Sequence, residues 1–122
     1  MAKKICIIED EKALLEMYKL KFQAEGYEVC GAGDGTEGLK VITANQPDLV
    51  LLDLIMPKMD GFEVLKKLRA NDATKNLQVY VFSNLGQSSE IDKGMDLGAN
   101  GYFIKSSMTP TELAKKVKTI LK

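Results

Sequence analysis

Short, nearly continuous apolar runs recur along the chain, separated by stretches whose apolar positions fall three and four residues apart. The runs are Lys4-Ile-Cys-Ile-Ile8, Tyr27-Glu-Val-Cys30, Asp48-Leu-Val-Leu-Leu-Asp53, Gln78-Val-Tyr-Val-Phe82 and Gly101-Tyr-Phe-Ile104. The first, third and fourth lack polar alternation, as strands do when helices cover both faces of a parallel sheet. Leu14, Leu15, Tyr18 and Phe22 share one face of a first helix, which Gly26 can end in a left-handed cap. Leu39, Val41 and Ile42 mark a second helix, closed by Pro47. Phe62, Val64, Leu65 and Leu68 mark a third, and Ile91, Met95 and Leu97 a shorter fourth. The fifth has the clearest start: Thr109 as N-cap, Pro110 in the first turn and Glu112 completing a capping box, with Leu113, Val117, Ile120 and Leu121 as its apolar face. Strict alternation of strand and helix predicts an α/β fold with a parallel sheet and right-handed crossovers. Ligand sites in such sheets lie beyond the carboxyl ends of the strands, where strand order reverses.

A length of 122 residues predicts one domain over residues 1–122. The 17 basic and 17 acidic residues cancel, which argues against a large electrostatic footprint for nucleic acid. Cys6 and Cys30 sit in apolar runs at a spacing that forms no metal motif or disulfide framework; they read as small buried residues in a reducing compartment. No signal peptide is visible, and no apolar stretch approaches the ~20 residues needed to span a bilayer. The expectation is a soluble, cytoplasmic protein.

The chemistry gathers at the predicted strand ends. Glu9, Asp10 and Glu11 follow the first strand, Asp53 ends the third, Ser83 the fourth and Lys105 the fifth. Singly, each has an ordinary reading: a solvated helix start, a loop cap, a strand-end residue. Jointly they deliver acids, a hydroxyl and a cation to one edge of the sheet. Clustered carboxylates resist joint ionisation. A hard divalent cation such as Mg²⁺ relieves that cost with one or two carboxylates plus water and phosphate oxygens. Lysine offers a point charge for a phosphoryl group, and an aspartate can be the nucleophile that forms an aspartyl-phosphate. The set reads as metal-assisted phosphoryl transfer.

At these residues the chain strongly resembles the receiver domain of bacterial two-component response regulators, in particular the single-domain, chemotaxis-regulator-like kind. The match includes Ile7–Glu11, Asp34–Gly38, Pro47–Pro57, Met59–Glu63, Val81–Ser83 and Leu97–Lys105. The resemblance implies a (βα)5 doubly wound five-stranded parallel sheet of flavodoxin-like order 2-1-3-4-5, with helices on both faces. It implies Asp53 as phosphoacceptor, Asp10 as direct ligand of Mg²⁺ (or Mn²⁺) together with Asp53 and the backbone carbonyl of Ile55, and Glu9 acting through water. Ser83 matches the hydroxyl that bonds the phosphoryl oxygen, Lys105 the lysine that pairs with it, and Tyr102 the aromatic switch. The implied donor is a histidine kinase phosphohistidine or a phosphotransfer protein. The implied output is a partner docking on the face formed by helix 4, strand 5 and helix 5, with the protein a monomer or a phosphorylation-dependent dimer. No membrane or direct nucleic-acid contact is implied for this chain, nor any enzymatic activity beyond its own phosphorylation and dephosphorylation.

The sequence departs from the family pattern at three places. Ser106 replaces the proline usual after the lysine, Asn84 is larger than the residue usual after the hydroxyl, and Ile55 is apolar where it cannot position water. Ile55 and Asn84 are expected to slow hydrolysis of an aspartyl-phosphate. The same Ile55 argues against an aspartyl-phosphate phosphatase, which needs a second aspartate there as general acid. The intact set Asp10, Asp53, Ser83 and Lys105 argues against a pure interaction module. Gly33-Asp-Gly-Thr-Glu-Gly38 satisfies G-x-G-x-x-G, but it follows the second strand and leaves the acid cluster unexplained. It reads as a tight turn with Thr36 near a helix N-cap.

Overall fold

The computed structural model describes residues 2–122. The strands are β1 (Lys4–Ile8), β2 (Glu28–Ala32), β3 (Leu49–Leu52), β4 (Gln78–Ser83) and β5 (Gly101–Ile104). The helices are α1 (Lys12–Ala24), α2 (Gly35–Asn45), α3 (Gly61–Ala70), α4 (Ser88–Asp96) and α5 (Pro110–Ile120), with one 3-10 turn at Lys105–Ser107. The sheet is wholly parallel in the order β2-β1-β3-β4-β5, the expected doubly wound arrangement. Strand order reverses at β1 and β3, so their carboxyl ends open the crevice where such folds bind ligands.

The apolar runs are explained by two cores, one on each face. Alternate residues of a strand point to opposite sides. Ile5, Ile7, Leu49 and Leu51 meet Tyr18 and Phe22 of α1 and Leu113 and Val117 of α5. Cys6, Ile8, Val50 and Leu52 meet Ile42 of α2 and Val64, Leu65 and Leu68 of α3. Full burial of each such side chain contributes roughly 1.5–3 kcal/mol, which holds the central strands rigidly beneath the site.

Local signals set the helix ends. Thr109 and Glu112 form the predicted reciprocal capping box, with bonds of 3.1 and 2.9 Å. Gly26 takes φ +95° just after α1, as a left-handed cap requires. Other details differ from expectation. β2 begins and ends later than the apolar run, since Gly31 and Ala32 pair with Ile7 and Ile8. The cap of α2 is Asp34, which accepts from the Glu37 N–H at 2.8 Å, and not Thr36. The glycine run there serves packing: a side chain at Gly35 would strike the backbone of Met59, and one at Gly38 would meet Ile8. Met95 is exposed, because α4 turns Gly94 inward against the Tyr102 ring. Cys6 is fully buried, whereas Cys30 is only half-buried near the sheet edge.

Candidate functional site

The carboxyl ends of β1 and β3 place two acids side by side. The Glu9 N–H donates to the Ala32 carbonyl and the Asp53 N–H to the Ile8 carbonyl, both at 3.0 Å, so the sheet ladder continues one step past the strands. After Asp53 the chain folds back, and the Gly61 N–H donates to the Leu54 carbonyl at 2.9 Å. A side chain at Gly61 would collide with the Asp53 carbonyl. Only glycine lets α3 start this close to the acid.

The carboxylates of Glu9, Asp10 and Asp53 offer oxygens that all lie within 4.8 Å of one another. Glu9 and Asp53 are buried, at 3% and 7% exposure, while Asp10 is open to solvent. The Lys105 ammonium reaches between the buried pair, donating to Asp53 Oδ2 at 3.0 Å and to Glu9 Oε1. The other oxygens are held by the backbone: Asp53 Oδ1 accepts from the Leu54 N–H at 2.8 Å, and Glu9 Oε2 from the Glu11 N–H at 3.0 Å.

Burial pushes the Glu9 carboxyl above its ordinary value, against the opposing pull of its bond from Lys105. Burial opposes charge on Lys105 too, but its bonds to Glu9 and Asp53 outweigh this and raise its pKa. Two carboxylates with oxygens within 4.8 Å of each other repel by at least about 3.5 kcal/mol at an effective dielectric of about 20. That repulsion is why a cation belongs at their meeting point. The donor set is entirely oxygen, which suits a hard divalent ion such as Mg²⁺.

The site opens into a cleft of ≈ 180 Å³ lined by Glu9, Asp10, Asp53, Ile55, Ser83 and Lys105, with Asn84 and Leu85 on the same wall. The structure thus brings together the residues singled out from the sequence, except Tyr102, which stands one layer away. The Ser83 side chain is buried, and its Oγ accepts from the Leu85 N–H at 3.3 Å. The Tyr102 hydroxyl donates to the Leu85 carbonyl, and its ring covers Gly94 of α4. Burial raises the Tyr102 pKa, so the phenol keeps its proton to donate. Ile55 is 63% exposed at the mouth of the cleft.

Leu85 was not apparent from the sequence, because it acts through backbone groups that its side chain does not announce. Nor was the contact between Asn84 and Ser106, where the Ser106 N–H donates to Asn84 Oδ1 at 2.9 Å. The signal available was that Ser106, unlike proline, has an N–H to give. The backbone after Lys105 closes in a 3-10 turn, and no described peptide bond is cis.

Buried acids, a lysine between them and a hydroxyl across the crevice of a doubly wound sheet define a signalling module of the receiver class. The family model described as the response regulator receiver domain matches residues 5–118, and the chain belongs to that family. It is 36% identical, over all of its own length and 50% of the relative's, to the alkaline phosphatase synthesis transcriptional regulatory protein PhoP of Bacillus subtilis. It is 34% identical, over 98% of its length and 49% of the relative's, to the DNA-binding dual master transcriptional regulator RpaA of Synechocystis. The chain therefore spans about half the length of these curated relatives. Chemotaxis protein CheY4 of Vibrio cholerae superposes with a TM-score of 0.90 at 27% identity, covering 98% of this chain and 99% of that one. A CheY-like response regulator receiver domain protein of Methanospirillum hungatei does so with a TM-score of 0.89 at 28% identity, covering 98% and 93%. Receiver domains accept a phosphoryl group in two-component phosphorelays, bind Mg²⁺ at an acidic pocket, and interact with histidine kinases and output domains. Among the described residues, no helix is long and apolar enough to cross a membrane.

Proposed function

We propose that residues 1–122 work as one receiver unit in which Asp53 accepts a phosphoryl group from a histidine kinase phosphohistidine or a phosphotransfer protein. The observation that carries this reading is the Lys105 ammonium at 3.0 Å from Asp53 Oδ2, in a cleft where three carboxylates converge. Asp10, Asp53 and the Ile55 carbonyl would hold Mg²⁺ or Mn²⁺, with Glu9 acting through water. The bound ion supplies neutralising charge for the phosphoryl oxygens. A carboxylate oxygen of Asp53 forms the new O–P bond as the P–N bond of the donor breaks, and the electron pair leaves with the imidazole nitrogen. Lys105 already points at the acceptor and pairs with the transferred group. The sequence contains no histidine, so a phosphohistidine donor comes from another molecule. The unit catalyses only its own phosphorylation and dephosphorylation, in the cytoplasm.

The switch runs through Leu85. In this state its N–H is engaged by Ser83 and its carbonyl by Tyr102. A phosphoryl oxygen that accepts the Ser83 O–H draws Oγ toward itself and away from the Leu85 N–H, loosening the first of these bonds. That difference in contacts biases the β4–α4 loop toward a second arrangement. The face formed by α4, β5 and α5, which includes Tyr102, then docks a partner or a second copy.

Intact mass after incubation with Mg²⁺ and acetyl phosphate tests the reading. One added phosphoryl group that requires the metal and is lost in Asp53→Asn is the expected result. A phosphoryl group retained in that variant overturns the assignment of Asp53.

A further inference from the structure

Lys105 is delivered to the site from β5, which lies at the sheet edge beside β4. The last register pair of that ladder is Ser83 with Ile104. Lys105 therefore stands one residue beyond the final strand pairing, where a cation on a free loop would sample many positions. The structure closes this gap with a side chain. Asn84, the residue after Ser83, accepts the Ser106 N–H on its Oδ1 at 2.9 Å. Lys105 is thus bracketed: the ladder holds Ile104 before it, and Asn84 holds Ser106 after it. The turn is tied further by the Ser107 hydroxyl, which donates to the Ile104 carbonyl at 2.9 Å.

We infer that Asn84 and the Ser106 N–H form a clasp between the β4–α4 and β5–α5 loops that positions the Lys105 ammonium over Asp53. The inference rests on the phosphoacceptor reading of Asp53 and adds to it a positioning pair that touches no reacting atom. The two departures from the family pattern belong together here. A proline at 106 has no N–H to donate, and a glycine or alanine at 84 has no side-chain oxygen to receive one. Asn84 and Ser106 are both exposed, so the clasp adds nothing to the core. Its contribution is to the orientation of Lys105. One net hydrogen bond corresponds to about a twofold to tenfold effect on an equilibrium.

The test uses Mg²⁺–beryllofluoride as the phosphoryl probe, with affinities measured for the parent, Asn84→Ala, Ser106→Pro and the double variant. Each single change is expected to weaken binding about twofold to tenfold. The double variant should be no weaker than the poorer single, because both remove the same bond. Unfolding midpoints should stay near the parent's. In parallel, hydrogen exchange of the Ser106 amide should be slow in the parent and in Asn84→Asp, which keeps an acceptor oxygen, and fast in Asn84→Ala. Fully additive losses, or an Asn84→Ala variant with parental affinity, overturn the inference. A Ser106 amide that exchanges equally in parent and Asn84→Ala does so too, and this arm decides the matter if Ser106→Pro does not fold. A parent that binds no beryllofluoride and takes no phosphoryl group overturns the underlying reading of Asp53, and the positioning role with it.

Discussion

Replacing Lys105 by methionine keeps most of the aliphatic stem and removes one ammonium from between two buried carboxylates. Its contact with Asp53 is 3.0 Å, which corresponds to about 5 kcal/mol of attraction at an effective dielectric of about 20. Much of that is offset by the desolvation of an ammonium whose side chain is only 10% exposed. In the variant the Glu9–Asp53 repulsion is no longer compensated by the ammonium, and it amounts to at least about 3.5 kcal/mol for oxygens within 4.8 Å of each other by the same rule. A net loss of about 3 kcal/mol at neutral pH follows, the scale expected when one partner is removed from a buried ion pair. The loss has a pH signature. Burial already holds the folded Glu9 carboxyl above its ordinary value of 4.5, so Glu9 favours the fold below that value, and this contribution fades as pH rises through the folded value. Removing Lys105 takes away a bond that restrained the rise, so the folded value climbs further in the variant. The defect should therefore be greatest at neutral pH and shrink in mild acid. Urea unfolding of parent and variant in EDTA, at neutral and mildly acid pH, reads this directly. Equal stabilities at neutral pH, or a defect of the same size at both, would refute the ion-pair account of the site. Adding Glu9→Gln to Lys105→Met should recover part of the loss, because it removes the repulsion at its source.

Other expectations follow from the same geometry. Asp10→Asn should weaken Mg²⁺ binding at least tenfold while leaving stability in EDTA within about 0.5 kcal/mol, since Asp10 is exposed; a metal titration with unfolding controls checks both. Ile55→Asn places an amide at the open mouth of the cleft, where it can orient water, and should shorten the phosphorylated lifetime by about tenfold, the worth of one hydrogen bond gained in the transition state. A decay of ³²P label no faster than the parent's would count against that role for position 55. Tyr102→Ala should still take a phosphoryl group by intact mass, yet show smaller amide shifts in α4 when beryllofluoride binds, because the hydroxyl that holds Leu85 and the ring that covers Gly94 are both gone. Thr109→Ala should cost about 1 kcal/mol in thermal or urea unfolding by opening the capping box of α5.

Much of this protein is legible in its sequence because local rules and global fold agree. Strands buried on both faces must be apolar throughout, so β1, β3 and β4 announce a covered parallel sheet, and the Thr109–Glu112 box announces α5 from neighbouring residues alone. The acids, hydroxyl and lysine at the strand ends follow from the same reading, because parallel strands all deliver their carboxyl ends to one edge. Where local pattern was ambiguous, packing decided. Met95 has helical spacing with Ile91, yet the inward position on α4 went to Gly94, which leaves room for the Tyr102 ring. Asp34 rather than Thr36 caps α2, because the Asp34 carboxylate accepts the Glu37 N–H and the helix already begins at Gly35, packed against the Met59 backbone. Other features depend on groups far apart in the chain. The pairing of Lys105 with Glu9 joins residues 96 positions apart, and that of Asn84 with Ser106 joins two loops 22 apart. Sequence shows that such groups exist and what each can donate or accept. Only the packed sheet fixes which of them come within hydrogen-bonding distance, because that distance is set by strand register and by the turns that follow, to a precision no residue pattern encodes.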